Sequence, residues 1–176
     1  VTGVQTCALP ILLAEAMSSL GTYQWLIFTS PNGVTSFFAY YFKAFEDIRG
    51  LGCVRLAAVG PATAAKLKEQ HLSVDAMPDK YVAKDIAKAI AEKDDLENLR
   101  VLLLRAEVAN AELPKLLEDA GAIVDDVAVY QTVPETEDVN GAAARLLADG
   151  ADWLTFASSS AVENFHARFD LPALVK

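Results

Sequence analysis

The sequence predicts an α/β protein: parallel sheets with helices on both faces, arranged as two similar three-layer α/β/α domains, the second incomplete. Three observations carry that expectation. A segment occurs twice, Trp25-Leu-Ile-Phe-Thr-Ser-Pro-Asn-Gly-Val-Thr-Ser-Phe37 and Trp153-Leu-Thr-Phe-Ala-Ser-Ser-Ser-Ala-Val-Glu-Asn-Phe165, and its offset of 128 residues is domain-sized, far beyond a solenoid or propeller period. Short apolar runs alternate with amphipathic ones, the pattern of a parallel sheet joined by right-handed crossovers. Each copy passes from its strand into a helix through a hydroxyl-rich turn, which leaves backbone N–H groups at a strand's carboxyl end, where open α/β sheets bind ligands.

The elements follow in order. Residues 1–11 resemble the translation of a sequencing-library adapter and are set aside as a non-native leader, Cys7 with them. The apolar run to Leu13 has no basic residue before it and Glu15 after it, so no export signal is read. Leu12 to Leu20 fits a short helix closed by Gly21. Trp25 to Thr29 is continuously apolar up to its last residue, as in a strand covered on both faces. Ser30 is a natural N-cap, and Pro31 suits the first helical position, where an N–H would lack a partner anyway; the helix runs to Phe45. Val54 to Val59 is the next buried strand, and Gly60-Pro61-Ala62-Thr63 turns it into a helix reaching about Gln70. Ser73 to Met77 reads as a short strand, Val82 to Lys93 as an amphipathic helix and Arg100 to Leu104 as a strand. Leu113 to Ala120 is a helix closed by Gly121, and Ala122 to Val133 a long extended segment that Pro134 ends. A helix over Gly141 to Ala148 leads to a Trp153 strand. The complete central domain is thus expected over 12–131, and 132–176 hold the connection and the truncated start of the other domain. The second copy has barely begun its helix when the chain stops, so the sequence reads as a fragment cut at both ends.

Charge and motifs narrow the function classes. A net charge of −9 without a basic stripe argues against nucleic acid or an anionic membrane as partner, and no stretch reaches membrane-spanning length free of charge. Two cysteines without CxxC spacing fit a reducing, cytoplasmic setting and neither a disulfide framework nor a zinc site. Gly50-Leu-Gly52 precedes a strand instead of following one, and no Walker sequence is present, so dinucleotide and ATP binding lose their support. Ser158-Ser-Ser160 lacks a glycine-flanked nucleophile elbow and reads as capping hydroxyls. Asp94-Asp95 lies in a charged loop; Asp125-Asp126 sits in a strand, where adjacent side chains point to opposite faces and cannot share a metal or proton. His71 and His166 do not read as ligands. The sequence therefore predicts neither a metal nor a cofactor.

Three strand-to-helix turns remain: Thr29-Ser-Pro-Asn-Gly33, Gly60-Pro-Ala-Thr63 and Ala157-Ser-Ser-Ser160. Their amides and hydroxyls suit an anionic ligand better than a metal, although each alone serves equally as a simple cap. These turns, in WLIFTSPNGV, VRLAAVGPATAAKL and WLTFASSSAVENF, together with RVLLLRAE and GAIVDDVAVYQTVPE, resemble the uroporphyrinogen-III synthases as an ordered set over about Leu20 to Phe165. The resemblance implies two flavodoxin-like domains joined by a two-stranded connection, and a cofactor-free lyase. It would close hydroxymethylbilane, a linear tetrapyrrole, into uroporphyrinogen III with loss of water and inversion of ring D.

It also implies site residues. Tyr130, the tyrosine of the VYxT motif, becomes the proton donor, where a strand tyrosine read alone is structural. A phenol is a weak acid near neutral pH, so Tyr130→Phe is expected to lower turnover without abolishing it. Thr63 faces the cleft. Ser30, Asn32, Ser158 and Ser160, with Pro31, Gly60 and Ser159 of the same turns, surround the substrate carboxylates. Arg105 is a candidate base for a carboxylate and reads equally as a strand-end surface arginine. The expected partner is the small tetrapyrrole alone, with a monomeric protein; the other readings left open are a non-catalytic α/β module binding an anionic small molecule, and a parent fused to a methyltransferase.

Overall fold

A computed structural model describes residues 2–5, 11–80, 82–134, 137–138, 140–156 and 159–169. The chain divides into two compact units, Thr6–Gln131 and a smaller one made of Val1–Gln5 with Thr132–Lys176. Its strands are β1 (Thr2–Gln5), β2 (Trp25–Phe28), β3 (Arg55–Ala58), β4 (Arg100–Ala106) and β5 (Ile123–Pro134). Its helices are α1 (Ile11–Ser18), α2 (Pro31–Ala44), α3 (Pro61–Glu69), α4 (Ile86–Ala91), α5 (Glu112–Asp119), α6 (Ala142–Asp149) and α7 (Ser159–Arg168).

In the larger unit the strands lie in the order β3-β2-β4-β5, all parallel. β2 is central, and all four of its residues are buried because neighbours flank it on both sides and helices cover both faces. Leu26 and Phe28 face one apolar cluster, with Leu102 and Leu104 of β4 and the aromatic face of α2. Trp25 and Ile27 face the other, with Val101 and Leu103, α4 and α5. The parallel α/β sheet with helices on both faces is therefore as expected.

The helices form where apolar spacing supplies a stripe. In α2 the buried Val34, Phe37, Phe38 and Tyr41 recur at helical intervals, and Phe28 meets Phe37 edge-on with centroids 5.4 Å apart. α4 buries Ile86 and Ile90, and α5 buries Leu113 and Leu117, each pair one turn apart. Gly121 ends α5 at φ +89°, and an ideal Cβ there would lie 3.1 Å from the Glu97 Cα, so both conformation and space select glycine.

Several expectations need correction. Ser73–Met77 forms no strand of its own: Ala76 alone makes a parallel bridge, to Ala57 of β3. The helix expected over 82–93 shortens to a 3-10 turn at Ala83–Asp85 followed by α4, since Val82 is exposed and the apolar anchors begin at Ile86. Gly21 does not close α1: it lies inside a 3-10 turn at Leu20–Thr22. Trp153–Phe156 is not a strand; no described residue pairs with it, and Trp153 is 88% exposed. A strand requires a neighbour to complete its hydrogen bonds, which apolar patterning alone does not provide.

In the smaller unit the side chain of Asp138 accepts from Ala143 and Ala144 N–H, each at 2.9 Å, at the start of α6. These backbone hydrogen bonds hold its carboxyl below the ordinary aspartate value. Phe165 packs edge-on against Phe156 with ring centroids 5.2 Å apart and also contacts Phe169. No helix among the described residues is long and apolar enough to cross a membrane.

Candidate functional site at the carboxyl edge of the larger sheet

The chain leaves β2 through α2 on one face, returns after β3 along α4 on the other, and enters β4 on the opposite side of β2. The carboxyl ends of β2 and β4 are therefore the point where the winding reverses, the place at which open α/β sheets leave a crevice. Phe28 is in register with Ala58, and Ser30 and Gly60, each two residues further on, are the N-caps of α2 and α3. Register alone thus sets the two helix amino ends level along one edge, with their partial positive charges on the same side.

The two caps differ chemically. Ser30, in extended backbone at φ −153°, accepts the Gly33 N–H through its Oγ at 3.1 Å. Gly60 has no side chain to accept from its helix, so the amides at Ala62 and Thr63 open α3 without a capping oxygen. Pro31 and Pro61 occupy the first helical positions, where neither can donate. Asn32 opens α2 beside Ser30 and is exposed, and Thr63 is 3% exposed on the inner face of α3.

Tyr130 reaches this edge through a β-bulge. β5 pairs regularly with β4 through Arg105 and Ala128, and then Ala106 faces Tyr130, so Val129 is an extra residue. In unbroken alternation Tyr130 would share a face with Asp126 and Ala128. The inserted residue sends it instead to the face of Val127 and Val129, into the cluster beneath α2. There it is 7% exposed, and its hydroxyl lies 2.9 Å from Ser30 Oγ. The Tyr130 carbonyl accepts from Glu107 N–H at 2.9 Å, which closes the bulge.

Arg105 projects to the opposite face. Its Nε donates to Asp126 at 2.7 Å, its Nη2 engages the other oxygen of the same carboxylate, and its Nη1 donates to the Asn110 carbonyl. It lines a cavity of roughly 100 Å³ with Thr29, Lys84, Asn110 and Leu113. Asp125 and Asp126 do point apart: Asp125 serves Arg100 and Tyr23 at the other end of the sheet. Burial, and then the 2.6 Å hydrogen bond to Asp125, push the Tyr23 hydroxyl up to about 12. No group of three or more His, Cys, Asp or Glu among the described residues could hold a metal ion.

The structure therefore brings Ser30 and Tyr130 together, sets Gly60 and Thr63 on the neighbouring helix end, and commits Arg105 to Asp126. In the smaller unit Ser159 is exposed at the start of α7 and Ser160 follows it in the helix, while Ser158 lies outside the described residues. Sequence reasoning missed the bulge and the Asp126 partner of Arg105, since both depend on lateral strand register and no local motif marks them.

A family model described as uroporphyrinogen-III synthase HemD matches residues 5–172. The chain belongs to the uroporphyrinogen-III synthase family. It is 32% identical over 161 residues to a porphyrin biosynthesis protein HemD of Ruminiclostridium josui, covering 91% of this chain and 32% of that protein. It is 26% identical over 150 residues to a uroporphyrinogen-III synthase of Chlorobaculum parvum, covering 83% of this chain and 60% of the relative. The chain thus spans from about a third to about three fifths of the curated relatives it matches. Among solved structures it resembles the uroporphyrinogen III synthase of Thermus thermophilus, with a TM-score of 0.62 and 21% identity over 95% of this chain and 65% of the other. It also resembles the Helicobacter pylori enzyme, with a TM-score of 0.63 and 19% identity over 97% and 70% of the two chains. At such identity these likenesses speak to the parallel α/β fold of the family.

Proposed function

We propose that the protein containing this chain converts hydroxymethylbilane to uroporphyrinogen III, with Tyr130 as proton donor. The observation that carries the reading is the bulge that turns the Tyr130 hydroxyl to the amino end of α2 at the reversal point of the sheet. The chemistry balances with one donor. Electron donation from the pyrrole nitrogen expels the hydroxyl of the terminal hydroxymethyl group as its C–O bond breaks, and the phenolic proton converts that hydroxide to water. The remaining carbon electrophile is attacked within the same molecule, so the protein's main contribution is to hold the linear substrate folded. For the type III product the attack falls on the ring D carbon that already carries the methylene bridge. That older C–C bond then breaks, and the carbon electrophile so freed closes on the other α carbon of ring D. The proton lost there as the ring regains aromaticity returns to the phenolate, so the net change is loss of water with ring D inverted.

The polyanionic substrate meets backbone dipoles at Ser30–Asn32 and Gly60–Thr63 on this reading. Pro31 and Pro61 stiffen these turns without competing for the substrate as donors. With a net charge of −9 the chain does not attract the substrate over long range, so local amides and few cations carry recognition. A monomeric, cytoplasmic protein without organic cofactor, free-standing or fused to a methyltransferase, completes the proposal.

The test extends the chain with the flanking segments of the Chlorobaculum parvum relative, supplies freshly generated hydroxymethylbilane, and separates type III from type I porphyrin after oxidation. Dominant type III product, falling on the order of 100-fold in rate in Tyr130→Phe, is expected. Type I alone from a folded protein would overturn the reading, because type I is the product of spontaneous closure.

A further inference from the structure

Ser30 is the side chain within hydrogen-bond distance of the Tyr130 hydroxyl, and its own bonding is already half determined. A serine hydroxyl has one donor and two acceptor sites. One acceptor site takes the Gly33 N–H at 3.1 Å, which fixes Oγ at the first turn of a 14-residue helix. The Tyr130 oxygen lies 2.9 Å away. An ideal Cβ on Gly33 would sit 3.5 Å from Ser30 Oγ and 3.9 Å from Tyr130 Cε1, so the helix turn, the hydroxyl and the phenol ring are packed against one another.

We propose that Ser30 is a positioning residue for Tyr130: its hydroxyl donates to the phenol oxygen, which leaves the phenol's own proton free for transfer to the departing hydroxide. The inference rests on the reading of Tyr130 as proton donor. Once that proton has left, the negative charge on the phenolate is met by the Ser30 O–H, itself polarised by the Gly33 amide at the positive end of α2. The same hydrogen bond occupies one acceptor site of the phenol oxygen and so directs the phenol's own O–H away from Ser30. A serine that only bound a substrate carboxylate would act on affinity and would do so whether or not Tyr130 kept its hydroxyl.

The experiment is a double-mutant cycle in the assay above. Ser30→Gly removes the hydroxyl but keeps a residue that caps helices nearly as well as serine. It is expected to lower kcat for type III product about tenfold with KM within about twofold of wild type, since a hydrogen bond to a developing charge is worth that much. Ser30→Thr, which can cap and donate, should restore turnover. Ser30→Gly in a Tyr130→Phe background should cost nothing further. Equal losses from Ser30→Gly with and without the Tyr130 hydroxyl, or a change confined to KM, would overturn the positioning role while leaving the functional reading intact. A Tyr130→Phe protein with undiminished type III turnover would instead overturn the assignment of the donor, and this inference with it.

Discussion

The Arg105–Asp126 pair lends itself to a quantitative test. Its two side chains are only 11% and 33% exposed, the contact uses both carboxylate oxygens, and a third donor reaches the Asn110 carbonyl. Exposed pairs are worth 0–1 kcal/mol, and removing one partner of a fully buried pair costs about 3–5 kcal/mol. With the guanidinium largely covered and the carboxylate a third open, Asp126→Asn should cost about 2 kcal/mol. For a chain of this size that is a fall in Tm of roughly 4–8 °C. Arg105→Met keeps most of the apolar stem and removes the charge. In urea unfolding followed by tryptophan fluorescence, the cycle between these two substitutions should return a coupling of about 1–2 kcal/mol. The Lys66–Glu69 pair on α3, with side chains 34% and 58% exposed, supplies the control and should couple by less than about 0.5 kcal/mol. A coupling at Arg105–Asp126 no larger than in that control would refute the reasoning from burial. A large coupling carries a functional corollary: a guanidinium already neutralised by Asp126 contributes little to a polyanion, so Arg105→Met should change KM for the bilane less than twofold.

Two further outcomes are expected. Tyr23 has its pKa raised to about 12 by burial and by Asp125, so the folded chain holds that proton more tightly than the unfolded chain, where the phenol titrates near 10. The stability so gained is complete below about pH 10 and is lost as pH rises toward 12; in Asp125→Asn the Tyr23 step in a 295 nm titration, identified by its loss in Tyr23→Phe, should move down, and an unmoved step would contradict the cause. Gly121→Ala forces φ +89° on an alanine whose Cβ lies 3.1 Å from the Glu97 Cα, and should cost about 1–3 kcal/mol in urea unfolding, whereas a neutral result would mean that this turn relaxes freely.

What the sequence made legible follows from where the information lies. β2 and α2 could be read directly because a strand buried on both faces is a continuous apolar run, and Ser30-Pro31 is a local start signal. The opposed directions of Asp125 and Asp126 could be read because alternation is a property of one strand. The contact between Ser30 and Tyr130 spans 100 residues and depends on the pairing of β5 with β4, which no local pattern encodes. Trp153 repeats Trp25 in sequence, yet Trp25 is fully buried and Trp153 is 88% exposed, since the first has β3 and β4 beside it and the second pairs with no described strand.

If Tyr130 is the proton donor proposed above, the bulge at Val129 is what lets a site with so few ionisable groups be specific. Up to Ala128 the alternation of β5 sends odd-numbered residues to the α2 face and even-numbered ones to the Arg105 face. Continued for two more residues, that rule would set Tyr130 on the side of a guanidinium already satisfied by a carboxylate, away from Ser30. One inserted residue moves it to the side where a helix cap supplies an oxygen held by a backbone amide. The cost is local, an interrupted ladder that the Glu107 N–H repairs at the Tyr130 carbonyl. The gain is a phenol between a strand end and a helix start, both fixed by the same sheet register. Placement, not an unusual side chain, then sets the chemistry, and for that reason the hydroxyl of Ser30 should matter to turnover as the phenol does, through the phenol and not beside it.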